Sequence, residues 1–217
     1  MSKLYWSTVN DVLKESLLFL MDSTEFSAFR LVGGTSLSLQ LGHRLSVDID
    51  LFTDAAYGTV DFNVLDAFLL KSYAYVESSF GILPGIGRSY VLGHNKDNLI
   101  KLDIYYTDKF IQEPLVMDGL RMATPEEIIA MKMDVVSREG RKKDFWDLHE
   151  LLENYSISQM LTLHEKRYPY THEKELLVKN LTNFTKADKD FEPICLKGKH
   201  WELIKLDFLD AIEAYLK

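Results

Sequence analysis

The spacing of apolar residues predicts both helices and strands in the first half of the chain. In residues 9–21 the apolar positions recur every three or four residues, as in a helix with one buried face, and Ser7 or Asn10 could cap its start. Residues 61–73 repeat this helical spacing. Residues 47–52 instead alternate apolar and acidic side chains, which predicts a strand with one apolar and one acidic face.

Other short segments favour strands or turns. Strand-like patterns cover residues 26–32, 73–80, 89–92, 99–106 and 117–122. Two turn-rich segments separate the middle three of these, which predicts an antiparallel meander. Residues 35–41 follow a Gly-Gly turn, and we expect a short helix there with Thr35 or Ser36 as its cap.

The second half of the chain reads as helical. Thr124 is a predicted cap, Pro125 takes the first helical position, and Glu127 follows the cap by three residues, so a helix should run to about Arg138. From Asp144 onward one helix follows another, with breaks near Ser156, Pro169 and residues 191–193. The sequence therefore predicts an α+β protein: a mixed sheet flanked by helices in residues 1–122, followed by a C-terminal helical region in residues 123–217.

Composition excludes several classes of protein. The apolar runs are far shorter than the roughly 20 residues that cross a bilayer, and the first residues lack the pattern of a signal peptide. Cys195 is the single cysteine and the six histidines are dispersed, so no zinc site is expected. We expect a cytoplasmic protein without a membrane partner. The formal net charge of −8 argues against a surface coated for non-specific nucleic-acid binding, but not against RNA as a substrate.

The acidic strand is the first candidate for chemistry. Residues two apart on a strand point the same way, so Asp48 and Asp50 should present two carboxylates on one face, while Val47, Ile49 and Leu51 face the core. Adjacent carboxylates repel each other unless a cation lies between them. Their hard oxygen atoms suit Mg²⁺ or Mn²⁺, although an isolated Asp-x-Asp is more often solvated surface.

A glycine pair upstream complements this strand. Gly33 and Gly34 have no side chains, so their backbone can approach a phosphate closely, and the helix start that follows offers free N–H groups. Thr35 and Ser36 can add hydroxyl donors. A phosphate cradle separated by one helix from a metal-binding strand is what phosphoryl transfer from a nucleotide requires.

These motifs resemble a known family. The stretch from Gly33-Gly34-Thr35-Ser36 to Asp48-Ile49-Asp50, with Arg44 and Ser46 before the acidic strand, is similar to the polymerase-β nucleotidyltransferase superfamily, and more narrowly to the AbiEii toxin nucleotidyltransferases. The similarity extends over about residues 27–151. It implies a third carboxylate on a neighbouring strand that binds metal or deprotonates the acceptor, and Asp103 matches it best. The alternative is that Asp103 merely pairs with Lys101 on an edge strand.

The resemblance also implies roles in the helical half. Lys132 interrupts an apolar helical stretch and matches a lysine that reaches the nucleotide phosphates. Asp144 and Asp147 would orient Lys132 or an arginine, and Arg44 would join the NTP site; a charged loop that opens a helix remains the alternative. We expect Lys132→Met to lower activity sharply, while stability changes little or even rises. Tyr168, Tyr170 and Trp201 are interpreted as helix-packing aromatics.

The function implied by this resemblance is Mg²⁺- or Mn²⁺-dependent transfer of a nucleoside monophosphate from an NTP to a hydroxyl. The acceptor is RNA, with the acceptor end of tRNA among the candidates, or a protein. The family also implies a toxin in a toxin–antitoxin or phage-defence system, and hence a cognate antitoxin as partner. Two alternatives stay open: a glycosyltransferase, which also uses Asp-x-Asp, and an inactive nucleotide-binding module.

Overall fold

A computed structural model gives the structure of the protein and describes residues 3–217. The helices are α1 (Asp11–Asp22), α2 (Gly33–Leu41), α3 (Phe62–Ser72), α4 (Pro125–Ser137), α5 (Lys142–Leu151), α6 (Ile157–Arg167), α7 (Lys174–Asn180) and α8 (Trp201–Leu216). The strands are β1 (Arg30–Leu31), β2 (Asp48–Thr53), β3 (Tyr75–Ser78), β4 (Gly87–Gly93), β5 (Leu99–Tyr106), β6 (Leu115–Met117) and β7 (Leu120–Met122). Short 3₁₀ turns lie at Trp6–Thr8, Thr24–Phe26 and Ala187–Lys189.

The strands form one mixed sheet in the order β3-β4-β5-β2-β1-β7-β6. β3, β4 and β5 pair antiparallel, which confirms the predicted meander. β2 then pairs parallel with β5, and β1 pairs parallel with β7. The acidic strand β2 therefore lies inside the sheet, next to the strand that carries Asp103.

Element boundaries near the N-terminus differ in part from the prediction. Asn10 caps α1 as expected, because its side chain accepts a hydrogen bond from the backbone N–H of Leu13 at 2.8 Å. The strand predicted over residues 26–32 is wrong in length. A 3₁₀ turn takes up its start, and only Arg30–Leu31 pair within the sheet.

The predicted cap of α2 is also wrong. The helix starts at Gly33, two residues earlier than predicted, with Val32 at the N-cap position and no side chain capping it. Thr35 and Ser36 therefore lie within the first helical turn, and both are buried. Val47 does not face the core, because it precedes the strand and its side chain is 64% exposed.

In the helical half, α4 has the predicted cap, but the side chain of Glu127 contacts other parts of the protein instead of the cap. The Thr124 hydroxyl accepts a hydrogen bond from the backbone N–H of Glu127, and Pro125 takes the first position. The carboxylate of Glu127 is buried, and it accepts hydrogen bonds from Arg167 and from the backbone N–H groups of Ile111 and Gln112. Glu127 thus links α4 to α6 and to the loop after β5.

Two buried apolar clusters hold the chain together. One packs α1 and α3 on the sheet, with Leu17 and Leu102 among its members. The other joins the later helices through Trp146 and Phe208, and it also takes Val32 and Leu37 from the start of α2. The division into domains at residue 122 stays a prediction. Although α2 belongs to the first half of the chain, it packs against α4 and α5 of the helical half.

Candidate active site

Three carboxylates meet on neighbouring strands. Along β2 the residues alternate between half-buried and buried, so Asp48 and Asp50 share the more open face, and Ile49 and Leu51 lie in the core. The parallel pairing of β2 with β5 places Asp50 opposite Asp103. Residues at opposed positions of paired strands have neighbouring side chains, so the structure brings the predicted third acid to the predicted pair.

The surroundings of Asp50 disfavour a negative charge on its carboxylate. Burial, the carboxylate of Asp103 and, to a smaller extent, that of Asp48 raise the pKa of Asp50 to about 6, although the charge of Lys132 opposes this. One carboxylate oxygen of Asp103, Oδ1, is buried and has no hydrogen-bond partner. Its other oxygen, Oδ2, lies 2.6 Å from Lys101 Nζ. A cation bound between these carboxylates would favour the charged form of Asp50.

The donor set fits a hard divalent cation. Carboxylate oxygens are the ligands that Mg²⁺ prefers, and Mg²⁺ is commonly held by one or two carboxylates together with substrate phosphates. Within residues 3–217, no three histidine, cysteine or acidic side chains close into a metal site by themselves. The unpartnered Oδ1 of Asp103 and the raised pKa of Asp50 are what a site completed by a cation and a phosphate would show.

The glycine pair has two distinct roles in packing. Gly33 adopts the left-handed conformation with a φ of 66°, and a Cβ there would lie 2.7 Å from Asp50 Oδ2. At Gly34 a Cβ would collide with the guanidinium of Arg44. The pair therefore lets the turn lie against the acidic strand on one side and against an arginine on the other, and both glycines line the cavity above the acids.

The Thr35 and Ser36 hydroxyls are engaged within the protein. Thr35 donates to the backbone carbonyl of Asp48 and lies 2.7 Å from Ser46 Oγ. Ser36 donates to the carbonyl of Ala123 at 3.3 Å. Neither residue lines the cavity, so their hydroxyls fix the turn to β2 and to the start of α4.

Lys132 is the centre of a buried charge network. Its Nζ lies 2.6 Å from Asp144 Oδ1 and 2.8 Å from Asp147 Oδ2, and the side chain is 8% exposed. Burial opposes its charge, but the two carboxylates raise the pKa of Lys132 above its ordinary value. The ammonium is paired with two carboxylates, so we now expect its removal to destabilise the protein, unlike the expectation from the sequence.

Arg44 closes this network from the other side. Its Nε and Nη2 donate to the two oxygens of Asp147 at 2.6 and 2.8 Å, and its Nη1 donates to the carbonyl of Leu45. His43 Nε2 is 2.8 Å from the same carboxylate. Burial alone would raise the pKa of Asp147, but the charges of Arg44 and Lys132 hold it well below its ordinary value. Asp147 is fully buried, so it acts on a ligand only through Arg44 and Lys132.

A cavity of about 290 Å³ is lined by Arg44, Lys132, Asp144 and two of the three strand acids, whereas His43, Asp103 and Asp147 do not line it. Gly33 and Gly34 line it, and its charged lining residues are Arg44, Asp48, Asp50, Lys132, Asp134, Arg138, Arg141, Lys143 and Asp144. Phe52, Met131, Val135 and Tyr168 lie along its apolar walls. A larger cavity of about 660 Å³ lies around His149, Tyr155 and Asp207 and shares no lining residue with the smaller one. Because two of the strand acids, the glycine pair and Lys132 line the smaller cavity, that cavity is the candidate active site.

Sequence reasoning missed two residues of this region. Tyr168 packs as predicted, with its ring centroid 5.2 Å from that of His164, but it also lines the cavity. Tyr170 is 98% exposed, so the packing interpretation is wrong for Tyr170. Trp201 does pack, stacked on Trp146 with ring centroids 6.4 Å apart. His43 is the second omission. No local pattern marks His43, because its partner Asp147 lies 104 residues away along the chain.

The sheet, the acids on its paired strands and the glycine turn define the nucleotidyltransferase fold, and solved structures share it. A candidate nucleotidyltransferase from Helicobacter pylori is similar with a TM-score of 0.59 and 21% identity, over 93% of this chain and 90% of that chain. MenT4, a nucleotidyltransferase toxin from Mycobacterium tuberculosis H37Rv, has a TM-score of 0.56 and 16% identity, over 91% of this chain and 79% of that chain. These likenesses confirm the predicted α+β fold.

The chain belongs to the AbiEii family of nucleotidyltransferase toxins. The family model described as nucleotidyl transferase AbiEii toxin, type IV TA system, matches residues 16–216. The match includes the helical end, where the sequence alone showed no motif beyond about residue 151. An uncharacterised protein of Aquifex aeolicus (strain VF5) is 27% identical over 204 residues, which cover 87% of this chain and 88% of that protein. No helix in residues 3–217 is long and apolar enough to cross a membrane.

Proposed function

We propose that the protein transfers a nucleoside monophosphate from an NTP to a hydroxyl group of RNA, with Mg²⁺ or Mn²⁺, and that this reaction is its activity as a toxin. The observation that carries the proposal is the pairing of Asp50 with Asp103 beside the Gly33-Gly34 turn, with one buried oxygen of Asp103 lacking a partner. Paired acids next to a backbone turn at a helix start provide for a metal and for phosphates in one place.

The phosphates of the NTP would lie at the start of α2. Both glycines line the cavity, and the first N–H groups of a helix have no partners within the helix. Thr35 and Ser36 would take part through these backbone groups, since their hydroxyls are engaged elsewhere. Lys132 adds a positive charge at the same end, and Asp144 and Asp147 hold its ammonium in place. Arg44 would position the turn through its contact with Gly34.

The three strand acids would hold the metal and orient the acceptor. The protein ligands of the metal would be Asp48, Asp50 and Asp103. A bound Mg²⁺ would supply Lewis-acid polarisation of the phosphate that is transferred. The acceptor oxygen forms a bond to the α-phosphorus, the bond to the bridging oxygen of the β-phosphate breaks, and pyrophosphate leaves. Asp103 would position the acceptor hydroxyl or take its proton, and Lys101 would hold the carboxylate of Asp103 in orientation.

The apolar walls suit the base of the nucleotide. Phe52, Met131 and Val135 line the cavity with Tyr168, and aromatic and aliphatic walls favour a flat base over water. The glycosyltransferase alternative gives no role to the Gly33-Gly34 turn or to Lys132, both of which line the cavity, so it is the weaker one. A cognate antitoxin, as the type IV toxin family implies, is part of the proposal.

The test is transfer of label from each of four α-³²P-labelled NTPs to total RNA, with and without Mg²⁺. We expect label in RNA only with metal, and loss of label with Asp50→Asn or Asp103→Asn. Asp97→Asn is the matched control, because Asp97 lies in the exposed turn between β4 and β5. Label in a protein band instead of RNA would redirect the proposal to a protein acceptor. Sugar transfer from a UDP-sugar, with no NTP transfer, would replace it by the glycosyltransferase.

A further inference from the structure

A second cavity, of about 340 Å³, adjoins the first on the far side of Asp48. The two cavities share part of their walls, namely Arg44, Ser46, Asp48, Arg141 and Lys143. Asp50, Lys132 and the two glycines line only the first cavity. A transferase of this kind needs two substrates on opposite sides of the reacting phosphorus. If the first cavity takes the NTP, the second is the place for the acceptor.

The outer wall of the second cavity is a segment held at both ends. Asp190 accepts a hydrogen bond from the backbone N–H of Lys142 at 3.3 Å. At the other end the carbonyl of Ile194 accepts one from the backbone N–H of Leu45 at 2.9 Å. Phe191 lies between these anchors and lines the cavity, yet its side chain is 95% exposed. An aromatic ring at the rim of a cavity that no other side chain covers is available to a ligand.

Basic groups lie across this cavity. Arg141 and Lys143 line it with side chains that are 51% and 36% exposed. Arg141 Nε is 3.2 Å from Asp144 and Lys143 Nζ is 3.8 Å from Asp48, and Asp190 is a further acidic neighbour of Arg141. Both can still turn toward a phosphate. Glu192 lies on the same wall as Phe191, which disfavours a long, densely charged backbone and favours a single strand end.

We propose that the second cavity binds the terminal nucleotide of a single-stranded RNA end, with its base stacked on Phe191 and its phosphate at Arg141 and Lys143. The terminal hydroxyl then enters the acidic cluster from the side of Asp48, the acid that both cavities share, and Asp103, which lies opposite Asp50, belongs to the same cluster. Base stacking on exposed aromatic side chains beside basic groups is how proteins hold single strands without reading a sequence. This inference rests on the proposed function, and it assigns the acceptor side of the same site.

The experiment measures RNA binding without catalysis. The full chain is titrated against a 5′-fluorescein single-stranded RNA of about ten nucleotides, with fluorescence anisotropy as the readout. Phe191→Ala should weaken binding about tenfold, and Phe191→Trp should retain it, because either aromatic ring stacks on a base. Tyr170→Ala is the matched control, since Tyr170 is equally exposed but lines neither cavity. Phe191 is exposed, so its replacement should not impair folding.

A second readout separates this inference from the proposed function. The shift in melting temperature with each NTP and Mn²⁺ should be the same for wild type and Phe191→Ala, because Phe191 does not line the first cavity. Equal RNA binding by wild type and Phe191→Ala, or no RNA binding by the wild type, overturns the inference even if NTPs bind. Loss of label transfer to a protein acceptor in Phe191→Ala, with RNA binding unchanged, also overturns it and assigns the cavity to a protein. If RNA binding depends on Phe191 but no NTP shifts the melting temperature, the RNA site is supported and the NTP-dependent function is rejected.

Discussion

Arg44 and Asp147 form a bidentate buried ion pair, in which Nε and Nη2 of the arginine lie 2.6 and 2.8 Å from the two carboxylate oxygens. The residues are 103 positions apart in the chain. The pair joins the segment before β2 to α5, and Lys132 of α4 completes it through the same carboxylate. Because Arg44 also lies against Gly34, the network connects the helical half of the protein to the turn that is proposed to hold phosphates.

Asp147→Asn should therefore destabilise the protein by about 3–5 kcal/mol, since it leaves Arg44 and Lys132 buried with too little negative charge. Urea unfolding followed by circular dichroism measures this change. Glu213→Gln is the matched control, because its pair with Lys217 is exposed and should contribute less than about 1 kcal/mol. Equal stability of the two variants would mean that the buried network does not hold the halves together.

Lys132→Met should lose both transfer activity and stability. The cost should be about 3–5 kcal/mol, because Asp144 and Asp147 would be left with one cation fewer in a buried position. The double variant Lys132→Met/Asp144→Asn should regain part of the stability, since it removes one of the unbalanced charges, but it should not regain transfer. Recovery of transfer by the double variant would show that Lys132 serves only the fold.

Gly34→Ala tests the contact between the turn and Arg44. The added methyl group would collide with the guanidinium, and overpacking of this kind costs about 1–3 kcal/mol. In an Arg44→Ala background the same change should cost much less, because the colliding group is absent. A double-mutant cycle by urea unfolding gives the coupling energy of Gly34 with Arg44. A coupling energy near zero would contradict the close approach.

The stability of the protein should fall with acid in a way that depends on Asp144 and Asp147. Burial would raise the pKa of Asp144, but Lys132 and Arg141 hold it below the ordinary value, and the pKa of Asp147 is lowered further. Below about pH 4, the ordinary value of an aspartate, the unfolded chain binds protons that the folded protein does not, so stability is full above that pH and is lost as pH falls through the folded values.

The predicted loss of stability in acid can be checked with urea unfolding at a series of pH values from neutral to acid. The wild type should lose stability with falling pH in this acid range, whereas Asp147→Asn, less stable at neutral pH, should show a shallower dependence. Parallel curves for the two proteins would assign the acid sensitivity to other carboxylates.

Much of the site follows from local patterns in the sequence. The two-residue period of β2 predicts that Asp48 and Asp50 share a face, and the glycine pair predicts a turn at a helix start. Thr124 and Asn10 were identified as caps because capping needs only nearby residues. Local patterns predicted the cap of α2 and the length of β1 wrongly, because both depend on how these segments pack against the rest of the protein.

By itself, then, the sequence determined the family, the α+β class and the residues with suitable chemistry, because periodicity, caps and motifs depend on neighbours along the chain. Tertiary structure alone decided the register that sets Asp50 against Asp103, and the partners that hold Lys132 and Arg44. It also decided that the Thr35 and Ser36 hydroxyls are engaged inside the protein, and that Phe191 lines a cavity shared with Asp48. These relationships join residues far apart in sequence, and they arise only when the sheet and the helices pack together.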